Sequence, residues 1–143
     1  MRHSIAGNST ITSNAARPGV SLFSIAATGA KIREIGVFNR TSTAFTVGVA
    51  RMTANTGVGA GLTEVDWDEA SPAGCTGFAG NTSDGTLGSP FRQASVGAAV
   101  GSGVIFTFGD SGILIKVGLA NGVGVYVPQG TGQLFDYYID WDE

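Results

Sequence analysis

The stretch LFDYYIDW, residues 134–141, indicates most clearly how this chain folds. Successive side chains of a strand point to opposite faces, so aromatic and apolar side chains collect on one face of this segment. That face carries Phe135, Tyr137, Ile139 and Trp141. Alternation over eight residues is typical of a strand with one buried face. It predicts Trp141 in the core, with Asp140 and Asp142 on the wetter face.

The same two-residue period recurs along the chain, with turn signals between the segments. The segments are KIREIGVFN (31–39), AFTVGVARM (44–52), GVIFTF (103–108), ILIKV (113–117) and VGVYV (123–127). The first two flank the short turn RTST and are predicted to form a hairpin. No segment carries a convincing helical period. Short, regularly spaced strands predict an all-β fold, an antiparallel β-sandwich that is jelly-roll-like.

Two segments lack any period. Residues 1–18 are polar and end at a proline followed by a glycine, so they are predicted to be a flexible N-terminal arm, with residues 19–143 as one β-sandwich domain. Residues 71–91 are predicted to be a long Gly-rich loop, and loops of that length are usually functional or mobile. The arm and the loop are the candidate segments for reaching a neighbouring molecule.

The composition excludes several classes of function. Charged residues make up 13% of the 143 residues, against a usual share of about 25%. Because 43% of the chain is hydrophobic, the low charge does not indicate disorder; it suggests a β-protein with much of its surface covered by a partner. A net charge of -3 gives no basic footprint for nucleic acid. No apolar run is long enough to span a membrane.

The sequence contains few residues suited to a catalytic site or a metal site. His3 is the only histidine and lies in the predicted arm, so a serine triad lacks its base. Cys75 is the only cysteine, and the two residues together cannot supply a zinc site. The glycine-rich loops lack the spacing that cradles phosphates. We therefore predict no enzyme activity, no cofactor and no metal.

The tetrapeptide DWDE occurs twice, at residues 66–69 and 140–143. Strand alternation predicts that Trp67, like Trp141, is a core residue and that the acids keep the opposite face wet. A calcium site remains an alternative, because carboxylates are the ligands that Ca²⁺ prefers. Its ligands would be Asp66, Asp68, Asp140 and Asp142. A glycosidase pair of carboxylates is a further alternative, but the pattern assigns the tryptophans to the core rather than to a sugar cleft.

Three stretches together resemble a known group of proteins: RMTANTGVGAGLTE (51–64) with SPAGCT (71–76), LGSPFRQASVGAAVGSGVIFTFGDSGILI (87–115) and NGVGVYVPQGTGQLFDYYIDWDE (121–143). They resemble small all-β proteins encoded in tailed bacteriophages and prophages. The similarity covers about residues 32–143, and GVIFTFGDSG and the ending WDE are its most specific parts. The resemblance implies a virion context.

Within that context, small β-sandwich proteins commonly decorate or cement the head, often as trimers. The resemblance therefore implies a head decoration protein on the capsid surface, made in the host cytoplasm, that binds the major capsid protein and forms a homotrimer. The alternative is a tail or fibre module that binds host carbohydrate through exposed aromatics such as Tyr126, Tyr137 or Tyr138. Six residues are predicted to contact a partner: Arg2, His3, Arg17, Phe78, Phe91 and Arg92.

Overall fold

The computed structural model describes residues 1–53, 59–68, 72–82, 84–130 and 132–143. These residues form strands, turns and loops, and they contain no helix long and apolar enough to cross a membrane. The strands are β1 Arg2–Asn8, β2 Pro18–Phe23, β3 Ala30–Asn39, β4 Phe45–Met52, β5 Ala60–Gly61, β6 Val65–Asp66, β7 Thr76–Ala79, β8 Leu87–Val96, β9 Gly103–Thr107, β10 Ile113–Ile115, β11 Gly122–Gln129 and β12 Phe135–Asp142.

The strands form two antiparallel sheets of six strands each, so the predicted all-β sandwich is confirmed. Sheet A has the order β10-β3-β12-β1-β6, and β9 pairs with β3 beyond β10 along the same edge. Sheet B has the order β5-β7-β2-β11-β4-β8. The core lies between the sheets and is lined by the inward residues of the long strands, such as Ile35, Val49 and Val125. Burying each aliphatic side chain of this kind contributes about 1.5–3 kcal/mol.

The predicted hairpin of residues 31–39 and 44–52 is wrong, although both strands exist. β3 belongs to sheet A and β4 to sheet B, so the chain crosses between sheets at this turn. The side chain of Asn39 organises the crossing. Its Nδ2 donates to the carbonyl oxygens of Thr43 (2.9 Å) and Gly97 (2.8 Å), and its Oδ1 accepts from the Thr41 amide (2.8 Å). The turn signal was real, but it did not specify which sheet the next strand would join.

The predicted flexible arm is also wrong. Arg2–Asn8 forms β1, which lies between β12 and β6 within sheet A. Ile5 is fully buried in the core. The following turn is closed by Ser13, whose Oγ donates to Arg17 O (2.6 Å), and by Asn14, whose Oδ1 accepts the Arg17 amide (2.8 Å). The sandwich therefore begins at Arg2 rather than at residue 19.

The predicted loop of residues 71–91 contains one strand and the start of another. β7 pairs with β2 and β5, and β8 begins at Leu87; Ser71 and Ser83 lie outside the described residues. A Cβ atom on Gly77 would lie 2.4 Å from Ile5 Cδ1, so this strand needs a glycine to pack against β1. Glycine at an inward position hid the apolar period that would have identified the strand.

Candidate functional site

The two DWDE segments come close together because β1 lies between them, and His3 is the residue that joins them. His3 Nδ1 lies 2.5 Å from Asp66 Oδ1, and its ring centroid lies 5.7 Å from that of Trp141. The residue is only 1% exposed. The prediction that His3 contacts a partner is therefore wrong, since the imidazole is enclosed between β6 and β12.

The second DWDE copy ends in a carboxylate that is used structurally. Glu143 accepts hydrogen bonds from Trp141 Nε1 (2.9 Å), the Cys75 amide (2.8 Å) and the Gly74 amide (2.7 Å). Burial acts to raise the pKa of Glu143, but these hydrogen bonds to the ionised form outweigh it and lower the pKa overall. The ionised carboxylate ties the end of β12 to the segment that leads into β7.

Cys75 is not suited to nucleophilic chemistry. Its side chain is fully buried, and burial followed by the charge of Glu143 raises its pKa to about 12. The thiol is therefore protonated at neutral pH, whereas nucleophilic attack requires the thiolate. Cys75 acts as a small core residue.

The acids of the two copies are held separately by bases. Arg2 contacts Asp140 Oδ2 at 3.2 Å, and Arg33 Nε contacts Asp142 Oδ2 at 2.5 Å. Asp140 was predicted on a wet face, but it is nearly buried, and burial raises its pKa despite the neighbouring Arg2. With Asp66 bound by His3, the described residues contain no group of three acids, histidines or cysteines that could hold a metal ion.

Trp67 was predicted in the core and is instead 53% exposed. β6 is only two residues long and forms the edge of sheet A, and among the described residues no further strand pairs with its outer side. The guanidinium of Arg2 lies over the Trp67 ring, 4.1 Å from its centroid. The indole is therefore a surface group held by a cation–π contact.

The six residues predicted to contact a partner are spread over separate parts of the molecule. Arg2 and His3 lie in β1, whereas Arg17 forms an ion pair with Asp84 (3.5 Å) in a turn. Phe78 packs edge-on against Phe23 on sheet B, with ring centroids 6.3 Å apart. Phe91 and Arg92 are neighbours on β8.

The side of the sandwich where β8 and β9 meet combines apolar and basic groups. Arg51 lies over the ring of Phe91 (5.2 Å) and Arg92 over the ring of Phe108 (6.0 Å), and both rings pack against the core. Charged side chains at a sheet edge discourage non-specific strand pairing.

Two exposed apolar residues lie in the segments that follow β8 along the chain. Val100, in the loop of residues 97–102, is 74% exposed, and Ile105 on β9 is half-exposed. We define Phe91, Arg92, Val100 and Ile105 as the β8–β9 surface. Sequence reasoning found Phe91 and Arg92 but missed Val100 and Ile105. In GVIFTF, Val104 and Phe106 share the inward face, so the two-residue period would have placed Ile105 on the outward face.

A polar hollow of about 370 Å³ lies at the other end of sheet A. Arg2, Arg33, Glu34 and Asp142 are among the residues that line it. Both arginines already bind carboxylates of β12, so the hollow offers no uncompensated charge to an anionic ligand.

Comparisons with known proteins give only weak matches. No family model matches the chain, and no curated protein matches it. One similar solved structure is the virus-like particle of the giant freshwater prawn Macrobrachium rosenbergii extra small virus, with 6% identity over 99% of this chain and 80% of that chain and a TM-score of 0.30. Another is the capsid asymmetric unit of cyanophage Pam1, with 13% identity over 99% of this chain and 81% of that chain and a TM-score of 0.31. Both weak neighbours are viral capsid proteins, but such TM-scores are too low to establish a shared fold.

Proposed function

We propose that this protein is a structural component of a tailed-phage virion that decorates the outside of the head by binding the major capsid protein. The observation that carries the proposal is that large apolar side chains, such as those of Val100 and Ile105, are exposed on the folded β-sandwich. The sequence resemblance to small phage proteins supplies the virion context.

Large apolar side chains are unevenly distributed over the described surface. Five of the eight that are exposed fall between residues 100 and 119: Val100, Ile105, Leu114, Val117 and Leu119. They form two separate groups, Val100 with Ile105 and Leu114 with Val117 and Leu119, and exposed apolar groups mark interaction sites on soluble proteins. The side chains that could act in catalysis have structural roles instead, since His3, Cys75 and Glu143 all contact other residues within the fold.

The loop that carries Val100 is ordered before any partner binds. Asn39 donates its amide to Ser102 O (2.7 Å) and accepts the Gly101 amide (2.8 Å), while its side chain reaches Gly97. A loop already fixed in one conformation loses little entropy on binding, so more of the contact energy appears as affinity.

We assign the capsid contact to the β8–β9 surface. Val100 and Ile105 supply apolar area there, and Arg92 supplies a positive charge that favours an acidic patch on the neighbour. The surface lies along two sheet edges and the loop between them, which Asn39 holds in place before a neighbour binds.

The carbohydrate-binding alternative finds no support in the predicted aromatics. Tyr126 and Tyr137 are buried. Tyr138 is half-buried, lies over Gly36 and donates its hydroxyl to Glu34 (2.6 Å). These rings are therefore not free to stack on a sugar.

The test measures occupancy on heads purified from a phage that lacks this protein. We expect the parent chain to bind, and Val100→Asp and Arg92→Glu each to lower the apparent affinity at least tenfold. Ala15→Asp, an exposed change in the turn after β1, is the matched control and should bind like the parent. Equal binding by all four chains, or no binding by the parent, would contradict the proposal.

A further inference from the structure

A second apolar group lies at the opposite end of β3 from Val100. It consists of Leu114 on β10 with Val117 and Leu119 in the following loop, which are 51%, 56% and 71% exposed. β10 pairs only with the start of β3, with Leu114 opposite Lys31, so it forms the edge of sheet A within the described residues. We call these three residues, together with the basic residues Lys31, Arg51 and Lys116, the β10 edge.

The loop of the β10 edge is fixed from below by one buried hydroxyl. Ser24 Oγ lies 2.7, 2.8 and 3.1 Å from the carbonyl oxygens of Lys116, Gly118 and Asn121. The Asn121 side chain also donates to Val117 O (2.9 Å). Val117 and Leu119 therefore project from a loop that is already in one conformation.

The charges around the β10 edge are mainly basic. Arg51 crosses from sheet B to donate to Leu114 O (2.8 Å). Lys31 lies opposite Leu114 in the strand register, and Lys116 follows Leu114 by two residues. Neither lysine forms an ion pair with another described residue. Asp110, in the turn before β10, is the acid nearest in sequence.

The opposite edge of sheet A has the complementary character. Val65 and Trp67 are exposed there, flanked by Glu64 and Asp68. Among the described residues neither acid forms an ion pair, whereas the neighbouring Asp66 and Arg2 are already matched by His3 and Asp140. We call Glu64, Val65, Trp67 and Asp68 the β6 edge. Four strand spacings separate it from the β10 edge, roughly 19 Å.

We infer that copies of this chain associate head to tail, with the β10 edge of one copy docking on the β6 edge of the next. Each edge presents apolar residues beside a charge of opposite sign to the other. Contact between two identical edges would place like charges opposite each other, which is unfavourable. Because the two edges lie on opposite sides of the same sheet, two copies cannot form both contacts at once, so the smallest closed ring is a trimer.

The contact is independent of capsid binding, so it is tested in solution by light scattering at tens of micromolar. We expect an assembly of three or more copies. Leu119→Asp and Trp67→Ser, both at exposed positions, should each shift the protein toward monomer, while Ala15→Asp should keep the parent mass. Circular dichroism checks that each variant is folded. A monomeric or strictly dimeric parent would overturn the inference.

Mixing the two variants tests the head-to-tail geometry itself. Each variant keeps the edge that the other has lost, so the mixture should form a heterodimer and nothing larger. A mixture that stays monomeric, or a single variant that assembles like the parent, would overturn the inference.

Charge reversal gives a second mixing test that removes no apolar contact. Lys116→Glu and Asp68→Lys should each weaken assembly alone, and their mixture should recover assembly. The two variants must alternate, so a closed ring formed by the mixture contains an even number of copies. Failure of the mixture to recover, with both chains folded, counts against complementary edges.

Discussion

The two DWDE segments have the same four letters and opposite environments. Trp141 is fully buried, whereas Trp67 is 53% exposed. β12 lies between β3 and β1 with both edges paired, whereas β6 is a two-residue strand at the edge of sheet A. The comparison teaches that the position of a strand in its sheet, rather than the local sequence, decided which tryptophan enters the core.

The polar atoms of the two tryptophans reflect the same difference. A buried indole needs a hydrogen-bond acceptor for its N–H group, and Glu143 provides one at 2.9 Å from Trp141 Nε1. Trp67 instead lies under the guanidinium of Arg2 and stays in contact with solvent. Glu69, the equivalent of Glu143 in the first copy, lies outside the described residues.

The largest effect is expected from removing the strand that joins the two copies. Deleting residues 2–8 removes β1, exposes an edge of β12 and takes Ile5 and His3 from the interior. We expect the truncated chain to lose cooperative unfolding and near-ultraviolet circular dichroism. A cooperative transition with a melting temperature within a few degrees of the parent would show that β1 is dispensable.

The second effect compares the tryptophans directly. Trp141→Ala should lower the free energy of unfolding by about 3–5 kcal/mol, the usual range for truncating a large buried aromatic. Trp67→Ala should cost less than about 1 kcal/mol, because it removes an exposed ring and one cation–π contact. Urea denaturation of both variants checks the difference, and equal losses would refute the assigned environments.

A smaller effect concerns the pH dependence of stability. Because the folded state lowers the pKa of Glu143 below 4.5, the ionised carboxylate stabilises the fold above that pH, and the contribution disappears as the pH falls through the folded-state pKa. Glu143→Gln should therefore cost about 1 kcal/mol at pH 7 and progressively less below pH 4.5. Denaturation at a series of pH values measures this, and a constant difference across the series would contradict it.

The smallest effect compares Asp142 with Asp68, the aspartates at the third position of the two DWDE segments. Asp142→Asn removes a partly exposed ion pair with Arg33 and should cost at most about 1 kcal/mol. Asp68→Asn has no such pair among the described residues and should leave the stability of the monomer unchanged. Thermal melts at low and high salt check this, since only the first difference should shrink with added salt.

The sequence predicted strands where the inward residues were uniformly apolar. Apolar residues recur at every second position in β4, β11 and β12 and at Ile35 and Val37 of β3, and the burial of Trp141 followed from that alternation. β1 and β7 were missed because their inward positions include His3, Gly7 and Gly77, which do not produce an apolar period. His3 is satisfied by Asp66, a contact across 63 residues that no local pattern contains.

Strand pairing could not be predicted because the partners are distant in sequence. Turns such as those after β3 and β10 mark where the chain reverses, but at both of them the chain also changes sheet. Only part of the β8–β9 surface could be predicted. Phe91 and Arg92 were predicted because an aromatic residue lies beside a charged one, whereas the exposure of Val100 depends on the loop that Asn39 holds. Folding through such distant pairings is expected to be slow.

The most direct test of the proposed virion role is an electron cryo-microscopy reconstruction of phage particles produced with this gene, compared with one of particles produced without it. We predict additional density on the outer surface of the head, repeated with the capsid lattice and fitted by the β-sandwich with its β8–β9 surface against the major capsid protein. Density on the tail or fibres alone, or identical heads in the two reconstructions, would contradict the account.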